Sequence, residues 1–489
     1  MKEAFMVQGS YGQFGLTSAM LRRCKEFSEY GVKCTSLTLD FTDNIYSIIE
    51  EFRQSGKLDE KTITLNPYME LSDKAIDWQK KLTKAEVDNF LLINSESETI
   101  DYYYVNGRLS EEKYIDFKKY RFVNQKYYNG ILISQVAMVN GKKKKEFFYS
   151  KTGLCIAIKE WNDDETQKGM LIFDYSIGVI RRYKSSYWWN IEWIKEKVFY
   201  SFLNNQEKPL LICDGPGTAR KLTEISKDIA IRVYVLHHNH RLKDGRVAER
   251  DLWNLNNCKK FDAVVALTAH QAVDINKDFP KINNIHVIPN FTNIKNINLE
   301  YENGYFKNNR LGFFGQLIEL KGVKDAIKAI SILNNKYGVP VYLDVYGKSP
   351  KNNEEAIKYY TDYAVSLGVG NIINFKGYSN EVLEEMKTCM CVLFPSSSEA
   401  QPLTILESLS VGTPVVAYDC KYGPSSMIEN GVNGFLINVG DVETMAVRIK
   451  DLFHDNEKRN EMSVKAIESA KMLSSKELIF NQWKNLFSI

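Results

Sequence analysis

The segment 395–410 constrains this chain most, because it places two carboxylates between a predicted strand and a predicted helix. Apolar strands are expected at 390–394 and 414–418, with a helix from 404 to 410 between them. Backbone N–H groups and the positive end of a helix dipole then lie beside one polar loop. Glu399 falls in that loop, and Glu407 follows eight positions later, about one turn inside the helix.

These two carboxylates suit different tasks. A loop carboxylate such as Glu399 can reach a reacting sugar, whereas a helical carboxylate such as Glu407 can accept hydrogen bonds from paired hydroxyls. The alternative interpretation is that Glu407 is a solvated helix residue and that Glu399 is an ordinary charge favoured by the helix dipole.

The start of the chain alternates strands and helices. A strand at 4–7 leads through a glycine loop at 9–15 into a helix at 17–30, and a strand at 32–39 precedes a helix at 44–55. This order predicts an α/β fold with a parallel sheet. The three glycines let the backbone approach a ligand closely, but their spacing matches neither a dinucleotide fingerprint nor a P-loop.

Between about residues 71 and 190, helical periodicity gives way to short β-rich runs. Asn-Gly pairs at 106–107 and 140–141 separate alternating strands, which is the strongest local hairpin signal. We therefore expect an antiparallel meander inserted into the first α/β domain. The four lysines at 142–145 follow a hairpin tip and are either a solvated turn or a docking site for a polyanionic acceptor.

The α/β rhythm then resumes, and its strand ends carry polar side chains. The strand 231–236 ends in His237, with His240 three residues later. Ligands of parallel sheets bind beyond the carboxyl ends of strands, so these histidines are candidates for hydrogen bonding to substrate; an exposed polar strand end is the alternative. A second βαβ series begins at 310–315, where Lys321 in the strand-to-helix loop suits a phosphate or is a plain surface lysine.

Composition narrows the class of protein. A chain of 489 residues predicts two or three domains, and a net charge of +3 gives no case for nucleic acid. Eight cysteines without a CxxC pair predict reduced, buried thiols of a cytosolic protein and no zinc site. The chain enters a strand directly and has no apolar run of about 18 residues, so we expect neither a signal peptide nor a membrane span.

Taken together, these motifs resemble family 4 retaining glycosyltransferases of the GT-B fold. The resemblance rests on six places in the sequence: the Gly15 loop, the His237 strand end, Gly315 with Lys321, the turn at 376–378, the Glu399–Glu407 pair and the segment 422–424. The β-rich insertion is similar to that of bacterial glycosyltransferases that modify wall teichoic acid or serine-rich surface proteins.

The resemblance implies two Rossmann-like domains facing an interdomain cleft, with the antiparallel β-meander inserted into the N-terminal domain. Residues 1–70 and 191–298 would form the N-terminal acceptor domain, and 71–190 the insertion, which would serve oligomerisation or acceptor binding. Residues 299–473 would form the nucleotide-sugar domain, and 474–489 a C-terminal helix that packs back on the N-terminal domain.

Roles for individual residues follow from the same resemblance. The implied catalytic residues are Glu399 beside the sugar ring, His237 hydrogen-bonded to the transferred sugar, and Lys321 balancing the diphosphate charge. The implied donor-binding residues are Gly15, Gln316, Tyr378, Leu403, Thr404 and Glu407. The implied acceptor-binding residues are Lys142, Lys143, Lys144, Lys145 and His240.

Two positions depart from the family pattern. Gln316 stands where an arginine normally follows the glycine, so one fixed cation is lost from the diphosphate site. Pro402 ends a run that usually reads Glu-Gly-Phe-Gly, and proline has no N–H to donate. Donor affinity or donor choice is therefore expected to differ from that of relatives.

The implied function is retaining transfer of a sugar from a UDP-sugar to a polyol-phosphate wall teichoic acid, with N-acetylglucosamine favoured over glucose. We expect no metal or other cofactor, and action in the cytoplasm or at the inner membrane surface. We also expect a homo-oligomer, for which the resemblance implies a trimer formed through the insertion. Two alternatives stay open: a protein O-glycosyltransferase acting on Ser/Thr-rich surface proteins, and a non-catalytic subunit that binds a glycosylated partner.

Overall fold

The computed structural model describes residues 2–12, 15–80, 120–176, 179–242, 244–292 and 309–488. The chain divides into two compact units, Met1–Val233 and Tyr234–Ile489. The predicted hairpin at 106–107 lies outside the described residues.

The first unit contains a parallel sheet and an antiparallel sheet. Its helices are α1 (Gly15–Glu29), α2 (Ile45–Gln54), α3 (Pro67–Gln79), α4 (Ser186–Asn205) and α5 (Pro216–Leu222). Its strands are β1 (Glu3–Gln8), β2 (Lys33–Thr38), β3 (Ile63–Leu65), β4 (Arg121–Tyr128), β5 (Ile131–Val139), β6 (Lys142–Tyr149), β7 (Cys155–Trp161), β8 (Gln167–Asp174), β9 (Val179–Tyr183) and β10 (Leu210–Cys213). In the parallel sheet the order is β10-β1-β2-β3, so the predicted βαβα start is confirmed.

Strands β4 to β9 form a six-stranded antiparallel meander in sequence order. Asn140 and Gly141 both take positive φ between β5 and β6, which confirms the predicted hairpin. The β-rich run is shorter than predicted, because α3 continues to Gln79 and α4 begins at Ser186. Asn66 caps α3 by accepting hydrogen bonds from two backbone N–H groups, a signal that the β-rich interpretation overlooked.

The boundary between the units falls inside β11, which is followed by the elements of the second unit. These strands are β11 (Ile231–Leu236), β12 (Ala263–Ala266), β13 (Ile285–Val287), β14 (Arg310–Phe314), β15 (Tyr342–Tyr346), β16 (Ile373–Gly377), β17 (Cys391–Phe394), β18 (Val415–Tyr418) and β19 (Gly434–Ile437). The helices are α6 (Glu249–Asn256), α7 (Ala269–Asp278), α8 (Val323–Asn335), α9 (Asn353–Ser366), α10 (Val382–Lys387), α11 (Leu403–Ser410), α12 (Val442–His454), α13 (Asn456–Leu473) and α14 (Lys476–Leu486).

The parallel sheet from β14 to β19 sets the position of the candidate site. Its strand order is β16-β15-β14-β17-β18-β19, a doubly wound arrangement in which the direction of winding reverses between β14 and β17. Because neighbouring crossover connections leave to opposite sides at that point, a crevice opens beyond the carboxyl ends of β14 and β17. The sheet core is apolar on both faces, as in covered parallel sheets.

Two composition-based predictions can be compared with the structure. All eight cysteines are free and seven are buried, which agrees with the prediction of reduced core thiols. Among the described residues, no helix is long and apolar enough to cross a membrane.

Candidate functional site

The loop after β14 brings Lys321 to the winding reversal. A short 3-10 turn, Glu319–Lys321, ends at Gly322, which takes φ +73° and begins α8. A Cβ atom on Gly322 would collide with the carbonyl oxygen of Pro395, so the loops after β14 and β17 approach more closely than any other residue allows. This approach brings Lys321 next to the glutamate loop.

Lys321 and Glu399 form an ion pair at this point. The Lys321 ammonium contacts Glu399 Oε1, and the Ser396 hydroxyl donates to the same oxygen over 2.7 Å. The side chains are partly buried, at 24% and 13% exposure respectively. Seventy-eight residues separate the two charges in sequence, and the strand order alone explains why they meet. The arrangement puts one cation and one anion on a single half-buried surface.

The N-terminus of α11 lies directly after the glutamate loop. Pro402 is its N-cap, and the N–H groups of Leu403 and Thr404 are the first of the helix. Within the described residues, no acceptor is bonded to either N–H group. Glu407 lies one turn further along the helix and is partly buried. These groups offer two donors and a carboxylate beside Glu399.

Two histidines of the loop after β11, His237 and His240, differ in how deeply they are buried. His237 is partly buried directly at the strand end, as predicted. His240 is fully buried: its Nε2 lies 3.1 Å from Asp278 Oδ2, and its ring stacks on Tyr422 at 5.7 Å between centroids. Burial lowers the pKa of His240, and the hydrogen bond with Asp278 opposes this only in part.

The remaining predicted donor residues lie on both units. Gln316 follows β14 and is half-buried, and its side-chain amide has no partner in the part of the chain that the structure describes. Tyr378 follows β16 with 47% of its surface exposed. Gly15 begins α1 in the first unit. The roles of these three residues stay predictions.

The four lysines of the predicted acceptor patch are part of strand β6 rather than of a turn. Each one contacts an acidic residue or its backbone: Lys142 donates to the Asp163 carbonyl over 2.9 Å, Lys143 pairs with Glu146 at 2.8 Å, Lys144 pairs with Asp163, and Lys145 lies 3.6 Å from Glu160. The local positive charge is therefore largely balanced, and acceptor binding here stays a prediction.

Sequence reasoning missed several polar residues around the site. Ser396 was overlooked although it lies two residues after β17 and its hydroxyl donates to Glu399. Gln401 lies in the Glu-Ala-Gln-Pro run that differs from the family pattern. Its side-chain oxygen accepts a hydrogen bond from the Asn290 backbone N–H over 2.7 Å. Asp274 and Asp278 are four residues apart on α7, a spacing that places both on one helix face and would have marked them as a pair.

The first unit also contains a cavity of about 920 Å³ between α3, α4, β8 and β9. Its walls combine the aromatic rings of Trp189 and Trp193 with carboxylates such as Glu70, which accepts from Trp193 Nε1 over 3.0 Å. None of the predicted site residues lines it. Among the residues that the structure describes, no group of three His, Cys, Asp or Glu side chains is arranged to hold a metal ion.

Comparison with known proteins gives a family match and two similar transferases. Residues 297–469 match the family of glycosyl transferases group 1. The chain is 25% identical over 515 aligned positions, covering both proteins completely, to the poly(ribitol-phosphate) alpha-N-acetylglucosaminyltransferase of Staphylococcus aureus. It is 23% identical to the poly(glycerol-phosphate) alpha-glucosyltransferase of Bacillus subtilis, covering 96% of this chain and 72% of that protein.

The fold is likewise that of a known glycosyltransferase. The crystal structure of S. aureus TarM in complex with fondaparinux, alpha-GlcNAc-glycerol and UDP superposes with a TM-score of 0.76 at 22% identity and covers both chains completely. The expectation of a GT-B architecture with a β-meander is therefore confirmed. The protein therefore has the GT-B fold, and its residues 297–469 match the model of glycosyl transferases group 1.

Proposed function

We propose that this protein transfers N-acetylglucosamine from UDP-N-acetylglucosamine to a polyol-phosphate polymer, with retention of the anomeric configuration. The observation that carries the proposal is the meeting of Lys321 and Glu399 at the winding reversal, beside the free N–H groups of α11. A nucleotide diphosphate needs a cation and backbone donors, and a developing sugar cation needs an anion. The contact of Lys321 with Glu399, in the loop that precedes α11, supports assigning both tasks to this part of the second unit.

In this mechanism the departing UDP develops negative charge on its β-phosphate. Lys321 and the N–H groups of Leu403 and Thr404 stabilise that charge, while Glu399 stabilises the cation-like anomeric centre. His237 donates or accepts a hydrogen bond at the transferred sugar, and Glu407 accepts from the ribose hydroxyls. Because Lys321 already pairs with Glu399, donor binding places the diphosphate in competition for the ammonium group.

The choice of acceptor is supported by similarity along the whole chain. The staphylococcal and Bacillus relatives are both named as transferases acting on polyol-phosphate polymers, and the first is matched over its complete length. This pattern favours a polymer over a Ser/Thr-rich protein. An intact Lys321, Glu399 and Glu407 also argues against a non-catalytic binding subunit.

Localisation and assembly belong to the same proposal. Free, mostly buried thiols suit a reducing compartment, so we place the enzyme in the cytoplasm, where it meets the polymer at the inner membrane surface. The antiparallel meander is the surface through which we expect the chain to form a homo-oligomer, tested by light scattering of the full chain.

The experiment is a donor and acceptor screen with purified full-length protein. UDP-N-acetylglucosamine and UDP-glucose are each offered with poly(ribitol phosphate), poly(glycerol phosphate) or a Ser-rich peptide, and UDP release is compared with label in the acceptor. We expect fastest transfer of N-acetylglucosamine to poly(ribitol phosphate). Transfer to the peptide alone would contradict the proposal, as would UDP release that never labels an acceptor.

Glucose is the second candidate sugar, because the Bacillus relative, which is matched over 96% of this chain, is named as an alpha-glucosyltransferase. The half-buried Gln316 amide, which replaces an arginine, is the position in the donor site where this chain departs from the family pattern. Preferential turnover of UDP-glucose with poly(glycerol phosphate) in the same screen would select this candidate.

A further inference from the structure

Glu399 lies in a loop whose backbone is hydrogen-bonded to a second loop, the one that follows β18. The Glu399 N–H donates to the Lys421 carbonyl over 3.0 Å, and the Tyr422 N–H donates to the Glu399 carbonyl over 2.6 Å. A Cβ atom on Gly423 would collide with Pro402, so the loop after β18 packs directly on the segment 399–402. The position of Glu399 therefore depends on where residues 421–423 are held.

Tyr422 anchors that second loop. Its side chain is buried, and its ring lies parallel to the buried ring of His240, with 6° between the planes. The Tyr422 hydroxyl lies 3.5 Å from His240 Nδ1. A buried aromatic ring with a bonded hydroxyl has few alternative positions, so the loop is fixed at this residue.

Two carboxylates on α7, Asp274 and Asp278, bind Arg241, the residue that follows His240. Arg241 donates to both oxygens of Asp278 over 2.7 and 2.6 Å, and its Nη1 reaches Asp274 Oδ2 over 3.1 Å. Lys421 also pairs with Asp274 at 2.6 Å, but its side chain is 58% exposed, and exposed pairs of this kind contribute little. The planar, bidentate Arg241 contact is the stronger constraint.

We propose that Tyr422 is a positioning residue, which holds the Glu399 loop at a fixed distance from the histidine loop that carries His237. Arg241, Asp274, Asp278 and His240 form its anchor. This inference rests on the proposed function, in which Glu399 and His237 act on the same sugar. Catalytic groups must be held to within a fraction of an ångström, so loosening the anchor reduces turnover without removing a group that touches the substrate.

The test compares Tyr422→Phe, which keeps the stacked ring and removes the hydroxyl, with Tyr418→Phe as its matched control. Tyr418 is a buried tyrosine of β18 whose hydroxyl donates to Asp325 over 2.9 Å rather than to a residue of the anchor. We expect Tyr422→Phe to lower kcat by about 10-fold to 10²-fold with little change in KM for the UDP-sugar. Tyr418→Phe should leave kcat unchanged at a similar cost in melting temperature.

A double-mutant cycle separates positioning from simple loss of structure. Because Tyr422 acts through Glu399, adding Tyr422→Phe to Glu399→Gln should lower the residual turnover, measured with labelled donor over long incubations, by less than twofold. Multiplicative losses would overturn the inference, and so would an unchanged kcat in Tyr422→Phe. If Tyr422→Phe does not fold, Asp274→Asn takes its place in the same cycle, with the same two outcomes.

The cycle also distinguishes failure of this inference from failure of the proposed function. Near-wild-type turnover in Glu399→Gln alone would remove Glu399 from the mechanism, whatever Tyr422→Phe does. Strong loss in Glu399→Gln with full multiplication by Tyr422→Phe would leave the mechanism intact and reject only the positioning role.

Discussion

Lys321 is the residue whose charge the mechanism uses most directly. Its ammonium group contacts the Glu399 carboxylate, which lies in the loop that leads into α11. Replacing it with alanine should lower kcat about 10²-fold, the usual loss when one donor to a transition state is removed. Initial rates of UDP release at saturating donor measure the effect.

Lys328→Ala is the control for this substitution, because it removes an exposed lysine from the same helix that Lys321 precedes. Its rate should equal that of the unaltered enzyme. A Lys321→Ala enzyme as fast as Lys328→Ala would exclude Lys321 from the reaction.

The burial of His240 should make the stability of the protein depend on pH. Its pKa in the folded protein lies below the ordinary value of about 6.5, because burial disfavours the charged ring. The neutral form is therefore the stable one: its contribution is complete above about pH 6.5 and is lost as the pH falls towards the lowered pKa. Urea midpoints should decrease between pH 7 and pH 5.

In His240→Asn this decrease should be smaller, because the titrating ring is gone. The matched variant His270→Asn, at an exposed position of α7, should keep the full pH dependence. Parallel curves for all three proteins would show that His240 does not control acid stability.

Among the elements, the loop between β14 and α8 carries the tightest packing of the site. Gly322→Ala would combine a positive φ with a collision against Pro395, whereas Gly338→Ala would have a similar φ of +64° and open space around its Cβ. The positive φ alone should cost about 1 to 2 kcal/mol in both variants. Overpacking should add roughly 1 to 3 kcal/mol in Gly322→Ala only.

Urea denaturation of the two variants gives the difference, and their turnover gives its consequence. Gly322→Ala should lose activity because Lys321 moves with the loop, while Gly338→Ala should keep it. Equal stabilities and equal rates would mean that the close approach of the two loops does not matter for the site.

Local signals predicted the elements of the second unit well. The strand at 390–394, the loop with Glu399 and the helix with Glu407 were all expected, since an apolar run, a polar turn and a helix start are short-range patterns. The same dipeptide signal identified the hairpin at Asn140, yet Asn129-Gly130 between β4 and β5 was overlooked. The extent of the β-rich run was wrong because the cap at Asn66 was not weighed.

Long-range contacts were harder to predict, because they depend on strand order. No local pattern indicates that Lys321 bonds to Glu399, or that Tyr422 stacks on His240. The sequence placed Lys321, Glu399 and His240 after predicted strands, which is correct, but only the order of the sheet decides which strand ends are neighbours. The lysines at 142–145 show the same limit. Their partners Glu160 and Asp163 lie in and just after β7, the strand that pairs with β6, and no local pattern predicts that pairing.

We predict that the proposed sugar transfer proceeds without a metal ion. The diphosphate charge is met by Lys321 and backbone donors, and no Asp-x-Asp donor loop stands out in the sequence. Turnover should therefore be the same with and without excess chelator. If chelator abolished turnover and a divalent cation restored it, the enzyme would need a metal ion and this prediction would be wrong.

A crystal structure of the full chain with bound UDP would show which residues hold the nucleotide diphosphate. We predict that the diphosphate contacts Lys321 and the N-terminus of α11, and that the ribose hydroxyls donate to Glu407. UDP bound elsewhere, or in contact with neither Lys321 nor Glu407, would contradict the account.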